Sequence, residues 1–255
     1  MPKSFFAILL TAAAPILLTS CSTNNVTVDN SLQKYFDSAG VKGTFGLYDN
    51  GQGHFTIYNL NRFRDSAYPP GATFDVLQAL IAVQTGVAAN ENSPLLQPDS
   101  AGAEAGSIRL AAAIGKDSLK KWVDSLRYGN KDISEYTDST HPAGRLAITA
   151  DEQLGLVKKL YFDQLPFFQR TQKIVRGLFQ KEENSNYRIV YKTGEGKNAA
   201  GQPTAWIIGW EEENKHPYFF VLNMDSANAQ SNVSTLGLQL VKNILGPMGF
   251  FAGKK

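Results

Sequence analysis

One cysteine in 255 residues, three histidines and charged residues at only 19% set the first limits. A single thiol, Cys21, excludes an internal disulfide, cysteine-ligated structural zinc, thioredoxin-type redox chemistry and cysteine-held iron–sulfur clusters. His54, His141 and His216 show no ligand-type spacing and no His-Glu-x-x-His is present, so neither a metal nor a cofactor is expected. Neither sign of charge is in excess. Against 25 Lys and Arg stand 23 Asp and Glu, a formal +2 that provides no concentrated basic surface for nucleic acid. The mostly apolar stretch from Ala7 to Leu18 falls short of the about 20 residues that span a bilayer. What is there is a hydrophobic fraction of 43%, enough for a packed core in one large domain or two small ones.

The start of the chain reads as a targeting segment. Lys3 supplies a positive end, residues 7 to 18 an apolar stretch, and Leu18-Thr19-Ser20-Cys21 a small-residue processing site. That spacing resembles a bacterial lipobox, in which the residue after the cut is a lipid-modified cysteine. Residues 1–20 are then a signal peptide, Cys21 the lipid attachment point, and 21–30 a polar tether. The expected location is the bacterial cell envelope, with the membrane engaged through lipidated Cys21, more than one acyl chain being needed for firm anchoring. An ordinary secretory signal with a chance cysteine is the alternative.

From residue 31 to 250 the pattern is that of one domain. Ser31 to Ala39 has the spacing of a short helix, and Thr44 to Tyr48 with His54 to Tyr58 that of a hairpin closed by Asp49-Asn50-Gly51-Gln52-Gly53. Thr73 to Gln84 follows Pro69-Pro70-Gly71 and reads as a buried helix stopped at Gly86. Asn90 to Gly106 is irregular. Lys116 to Arg127, Ala150 to Phe162 and Pro166 to Phe179 continue as helices. The period then changes. Tyr187 to Tyr191, Ala205 to Trp210 and Tyr218 to Met224 alternate as strands of an antiparallel meander, and Thr235 to Leu245 closes as a helix. Strands at both ends with helices between predict an α+β fold: one antiparallel sheet built from the N- and C-terminal segments, flanked by helices, with a helical subdomain inserted.

Lys192-Thr193-Gly194 between two strands is the first triplet with chemical content, and weak alone. Its company is Gly43 to Asp49, Tyr68-Pro69-Pro70-Gly71-Ala72-Thr73-Phe74, Tyr128-Gly129-Asn130, Gly144 to Thr149, Gly209-Trp210 and Tyr218 to Asp225. In that order and at roughly that spacing the blocks resemble class D β-lactamases and the related penicillin-binding transpeptidases. The resemblance implies serine acyl transfer: a Ser at the start of a buried helix attacks, a Lys three residues later takes its proton as a carbamate, a loop Ser relays protons, and a Lys-Thr-Gly strand holds substrate along one edge.

Measured against that family, Ala72 stands at the Ser position and Asp75 at the Lys position. Ala72 has no oxygen to acylate and Asp75 cannot carry a carbamate; at a helix start Asp75 complements the macrodipole by about 0.3 to 1 kcal/mol. The loop motif falls near Gly102-Ala103-Glu104, where no serine stands, Ser100 needing a two-residue slip. The resemblance also implies a Trp that shields the carbamate and an Arg on the last helix that holds the β-lactam carboxylate; His141 stands at the place of that Trp, and no arginine follows Arg188. The candidate cleft is Ala72, Asp75, Tyr128, Asn130, Lys192, Thr193, Gly194 and Glu195, with Tyr128-Gly129-Asn130 read alternatively as an ordinary helix cap. The expected function is a non-catalytic relative that binds a peptidoglycan stem peptide or an envelope protein. The alternative is an active β-lactamase or transpeptidase with a moved nucleophile, Thr73 and Ser66 being the nearest hydroxyls.

Overall fold

In a computed structural model, residues 25–137, 145–227 and 232–253 are described. The leader, Cys21 and His141 lie outside them. Strand β1 (Val26–Val28) leads to helix α1 (Gln33–Ala39), strands β2 (Val41–Asp49) and β3 (His54–Tyr58), and helices α2 (Leu60–Asp65) and α3 (Phe74–Thr85). Helices α4 (Ala103–Ile114), α5 (Lys116–Leu126), α6 (Ser134–Thr137), α7 (Ala150–Tyr161) and α8 (Gln169–Arg176) follow. Strands β4 (Gln180–Glu183), β5 (Arg188–Lys197), β6 (Pro203–Glu213) and β7 (His216–Ser226) and helix α9 (Val233–Leu245) complete the order. The sheet runs β1-β3-β2-β7-β6-β5-β4. Every pairing is antiparallel except β1 with β3. The α+β architecture drawn from the sequence holds.

Pleating divides the sheet between two helical layers. Along β6, Trp206, Ile208 and Trp210 face the inserted helices, while Ala205 and Ile207 face α1 and α9. In β7, Phe219 and Val221 join the first set and Phe220, Leu222 and Met224 the second. Because both faces are covered, these strands read as nearly continuous apolar runs although they are antiparallel. The β2–β3 turn is held by Asp49, whose Oδ1 accepts from the N–H of Gly51 (2.8 Å) and of Gln52 (3.0 Å).

Four readings change. The polar stretch assigned as tether is structured from Val26, since Val-Thr-Val adds a parallel edge strand to β3, so the domain starts before residue 31. Residues 103–114 form a helix within and beyond the stretch read as irregular; its inward stripe is Ser107, Leu110, Ala111 and Ile114, too small and polar at its head to register as an apolar period, while alanine itself favours helix. The helix expected over 166–179 is confined to Gln169–Arg176, with β4 following at residue 180. Gly129 is not a cap. Helix α5 ends in a left-handed Arg127 (φ 52°), and Tyr128-Gly129-Asn130 lies beyond it.

Candidate functional site

The site is built where α3 meets β5. Pro69 and Pro70 bring the chain in, and the indole Nε1 of Trp206 on β6 donates to the Pro69 carbonyl at 2.7 Å. At Gly71 the backbone is left-handed (φ +52°), and a Cβ there would lie 2.0 Å from the carbonyl oxygen of Glu195. Gly194 mirrors this from the strand, since its Cβ would come within 2.7 Å of the Thr73 nitrogen. Two residues without side chains thus let the 3-10 turn Gly71–Thr73 that leads into α3 sit directly on β5. Replacing Gly71 by Ala combines left-handed strain with a clash against backbone, and is expected to destabilise by roughly 2 to 4 kcal/mol in urea unfolding.

Helix α3 is buried along nearly its whole length and carries a single charged residue, Asp75, in its first turn. The Ser107 hydroxyl donates to Asp75 Oδ1, and Lys192 Nζ stands 4.0 Å from Oδ2. Burial pushes the Asp75 carboxyl above the usual carboxylate range, while Lys192 and the Ser107 hydroxyl favour its anion. Asp75 keeps the first-turn place that complements the helix dipole and also joins Ser107 and Lys192 in a polar cluster. Ser107 is the residue that sequence reasoning missed. It comes from α4, 32 positions away, and not from the stretch at 102–104. The available signal was the alanine-rich stretch that carries it.

Ala72, 8% exposed, presents its methyl beside Asp75, Lys192 and Thr193 to a cavity of about 550 Å³. Its walls come from the 91–99 loop, from Ala103, Gly106 and Leu110 of α4, and from the 175–180 segment. A second cavity of about 370 Å³ shares Ala72, Ala103, Gln180 and Thr193 and extends to Glu195, Asn232 and Ser234, so the two are lobes of one cleft. The pleat of β5 sends Lys192 and Gly194 toward α3 and Glu195 toward α9, where its Oε1 accepts from the Ser234 N–H at 3.2 Å. Beyond its last pair with β4, Gln180 with Tyr191, the stretch 192–197 pairs, among the described residues, only with β6. An open strand edge therefore runs along the cleft.

Three sequence candidates, Gly194, Tyr128 and Asn130, are not among the residues that line it. Tyr128 is buried against Phe74, ring centroids 5.5 Å apart, and burial holds its phenol far above the ordinary range. Asn130 braces the neighbouring segment: its Nδ2 donates to Arg145 O (2.8 Å) and its Oδ1 accepts from Ala147 N (3.1 Å), while Gly129 packs against the Ala147 carbonyl. The hydroxyl of Thr73 is committed as well. It donates to Pro70 O at 2.6 Å and accepts from Gln153 Nε2 at 2.7 Å, and the residue is fully buried. Ser66 precedes the Pro69-Pro70 turn and is not among the residues that line either lobe.

Residues 103–246 match the penicillin-binding protein transpeptidase domain family. The β-lactamase OXA-48 of Klebsiella pneumoniae is 31% identical over 215 residues, 77% of this chain and 80% of that one. The β-lactamase OXA-19 of Pseudomonas aeruginosa is 27% identical over 271 residues, covering 98% of this chain and all of that one. Among solved structures, the C-terminal domain of the Bacillus licheniformis BlaR penicillin-receptor superposes with a TM-score of 0.77 at 25% identity, over 89% of this chain and 98% of that domain. By the family match over more than half its length, and by its identity to the Klebsiella pneumoniae enzyme, this chain belongs to the penicillin-binding transpeptidase and class D β-lactamase superfamily.

Proposed function

We propose that this protein binds a peptide-like ligand in the α3–β5 cleft without forming a covalent bond to it. The observation that carries the reading is Ala72: at the start of α3, facing the cleft, it offers a methyl group where acyl transfer needs an oxygen. The resemblance places the family's nucleophile at this position and its basic lysine at Asp75. A carboxylate there, held by Ser107 and Lys192, organises the floor but has no adjacent hydroxyl at position 72 to activate. The open edge of β5 suits an extended peptide, which would add main-chain hydrogen bonds while the lobes take its side chains. That one similar structure is described as a penicillin-receptor supports a binding reading. Display on the envelope through lipidated Cys21 would put the cleft within reach of peptidoglycan stem peptides or an envelope protein.

A thermal-shift titration with muropeptides released from digested peptidoglycan tests the binding. A cleft ligand at 100 times its dissociation constant stabilises by about 2.7 kcal/mol, so the melting temperature should keep rising with the logarithm of concentration. A flat response across the digest contradicts the reading.

A further inference from the structure

The charges around the cleft are unusual for their sign. Four carboxylates line its two lobes, Asp75, Glu91, Asp99 and Glu195, against one ammonium, Lys192. Lys192 is occupied by Asp75 at 4.0 Å, and Asp99 by Arg109 at 2.9 Å. Glu91 and Glu195 are left without a cation among the described residues. In the second lobe Glu195 is the only charged lining residue among those described, and its carboxylate already rests on the first turn of α9 through the Ser234 N–H. The partial positive charge of a 13-residue helix is thus met by the chain's own acid, and an incoming anion would face that acid instead.

We infer that the cleft selects a ligand bearing an ammonium group and disfavours one bearing a carboxylate, with Glu195 setting the preference. This deepens the binding reading above and rests on it. The first lobe supplies the apolar contact, from Leu95, Leu96, Leu110, Val175, Leu178 and Phe179. The ligand is then a peptide with an apolar body along β5 and a free amine at the second lobe. A stem peptide carries both an amine and carboxylates, and the amine-bearing part is the one that docks. Glu195 is exposed, so its attraction is screened by solvent and salt, and an effect of about tenfold in affinity is in scale for one such charge.

Three peptides of one sequence test this on the mature chain: Leu-Ala-Ala with a free N-terminus and an amidated C-terminus, the same peptide acetylated and amidated, and the acetylated peptide with a free C-terminal carboxylate. Calorimetric dissociation constants at 20 and 300 mM salt should rank the amine tightest and the carboxylate weakest, about tenfold apart, with the gap shrinking at the higher salt. Glu195→Gln should close most of the gap between the amine and the neutral peptide. A native chain that prefers the carboxylate, or ranks the three equally, overturns the inference and leaves the binding reading standing. An unchanged gap in Glu195→Gln overturns the assignment to Glu195. If none of the three binds the native chain, the binding reading itself fails.

Discussion

Replacing Glu211 by Gln should leave the protein markedly more stable than the native chain at pH 8 and close to it at pH 4 to 5. Glu211 lies on β6 facing α9, fully buried. Burial first, then the neighbouring carboxylates Glu213 and Glu212, push its carboxyl from an ordinary value near 4.5 to about 8. Glu213, on the same face two residues on, is buried too, and its Oε1 accepts from the Phe251 N–H at 2.6 Å. The sign follows from which state holds the proton more tightly. Below about pH 4.5 both folded and unfolded chains carry it, and the group adds no pH dependence. Between 4.5 and 8 the unfolded chain releases the proton while the folded chain keeps it, so stability falls by about 1.4 kcal/mol per pH unit. By pH 8 the loss is roughly 3 to 5 kcal/mol, all of it absent from the glutamine variant. Urea unfolding of both proteins at pH 5, 7 and 9 measures the difference. A difference that stays constant over that range would show that Glu211 does not hold its proton in the fold.

Much of this fold was legible in the sequence because its signals are local. The alternation of β6 and β7, the apolar run of α3 after Pro69-Pro70-Gly71, and the Asp49 turn are each complete within a dozen residues. Features missed were short or distant. Val26–Val28 is three residues long and gains its place only by pairing with β3. Ser107 gained meaning only when α4 folded against Asp75. The Arg62 guanidinium, buried between Asn223 Oδ1 (3.0 Å from Nε) and Asp225 (2.5 Å), ties α2 to β7 across more than 160 residues, which no periodicity could indicate. At the site, the family resemblance proposed Ala72, Asp75, Lys192, Thr193 and Glu195, and these five lie along the two lobes. It failed for Tyr128 and Asn130, whose polar side chains near a glycine look the same whether they line a cleft or brace a loop.

The largest expected effect on chemistry concerns covalent labelling by a β-lactam. Removing a serine nucleophile costs on the order of 10⁶ in turnover, and in the reading proposed above position 72 offers the cleft only a methyl group. The native chain should therefore stay unlabelled. In the double variant Ala72→Ser and Asp75→Lys a nucleophile and an amine stand one helical turn apart on the cleft floor, with Ser107 and Lys192 still beside them. Slow formation of one acyl adduct is expected there, slow because Lys192 then faces a second ammonium and no arginine follows Arg188 to hold the β-lactam carboxylate. Intact-mass measurement after incubation with benzylpenicillin reads both proteins directly. The native chain should keep its mass while the double variant gains that of one penicillin; a stable adduct on the native chain would contradict a non-covalent cleft.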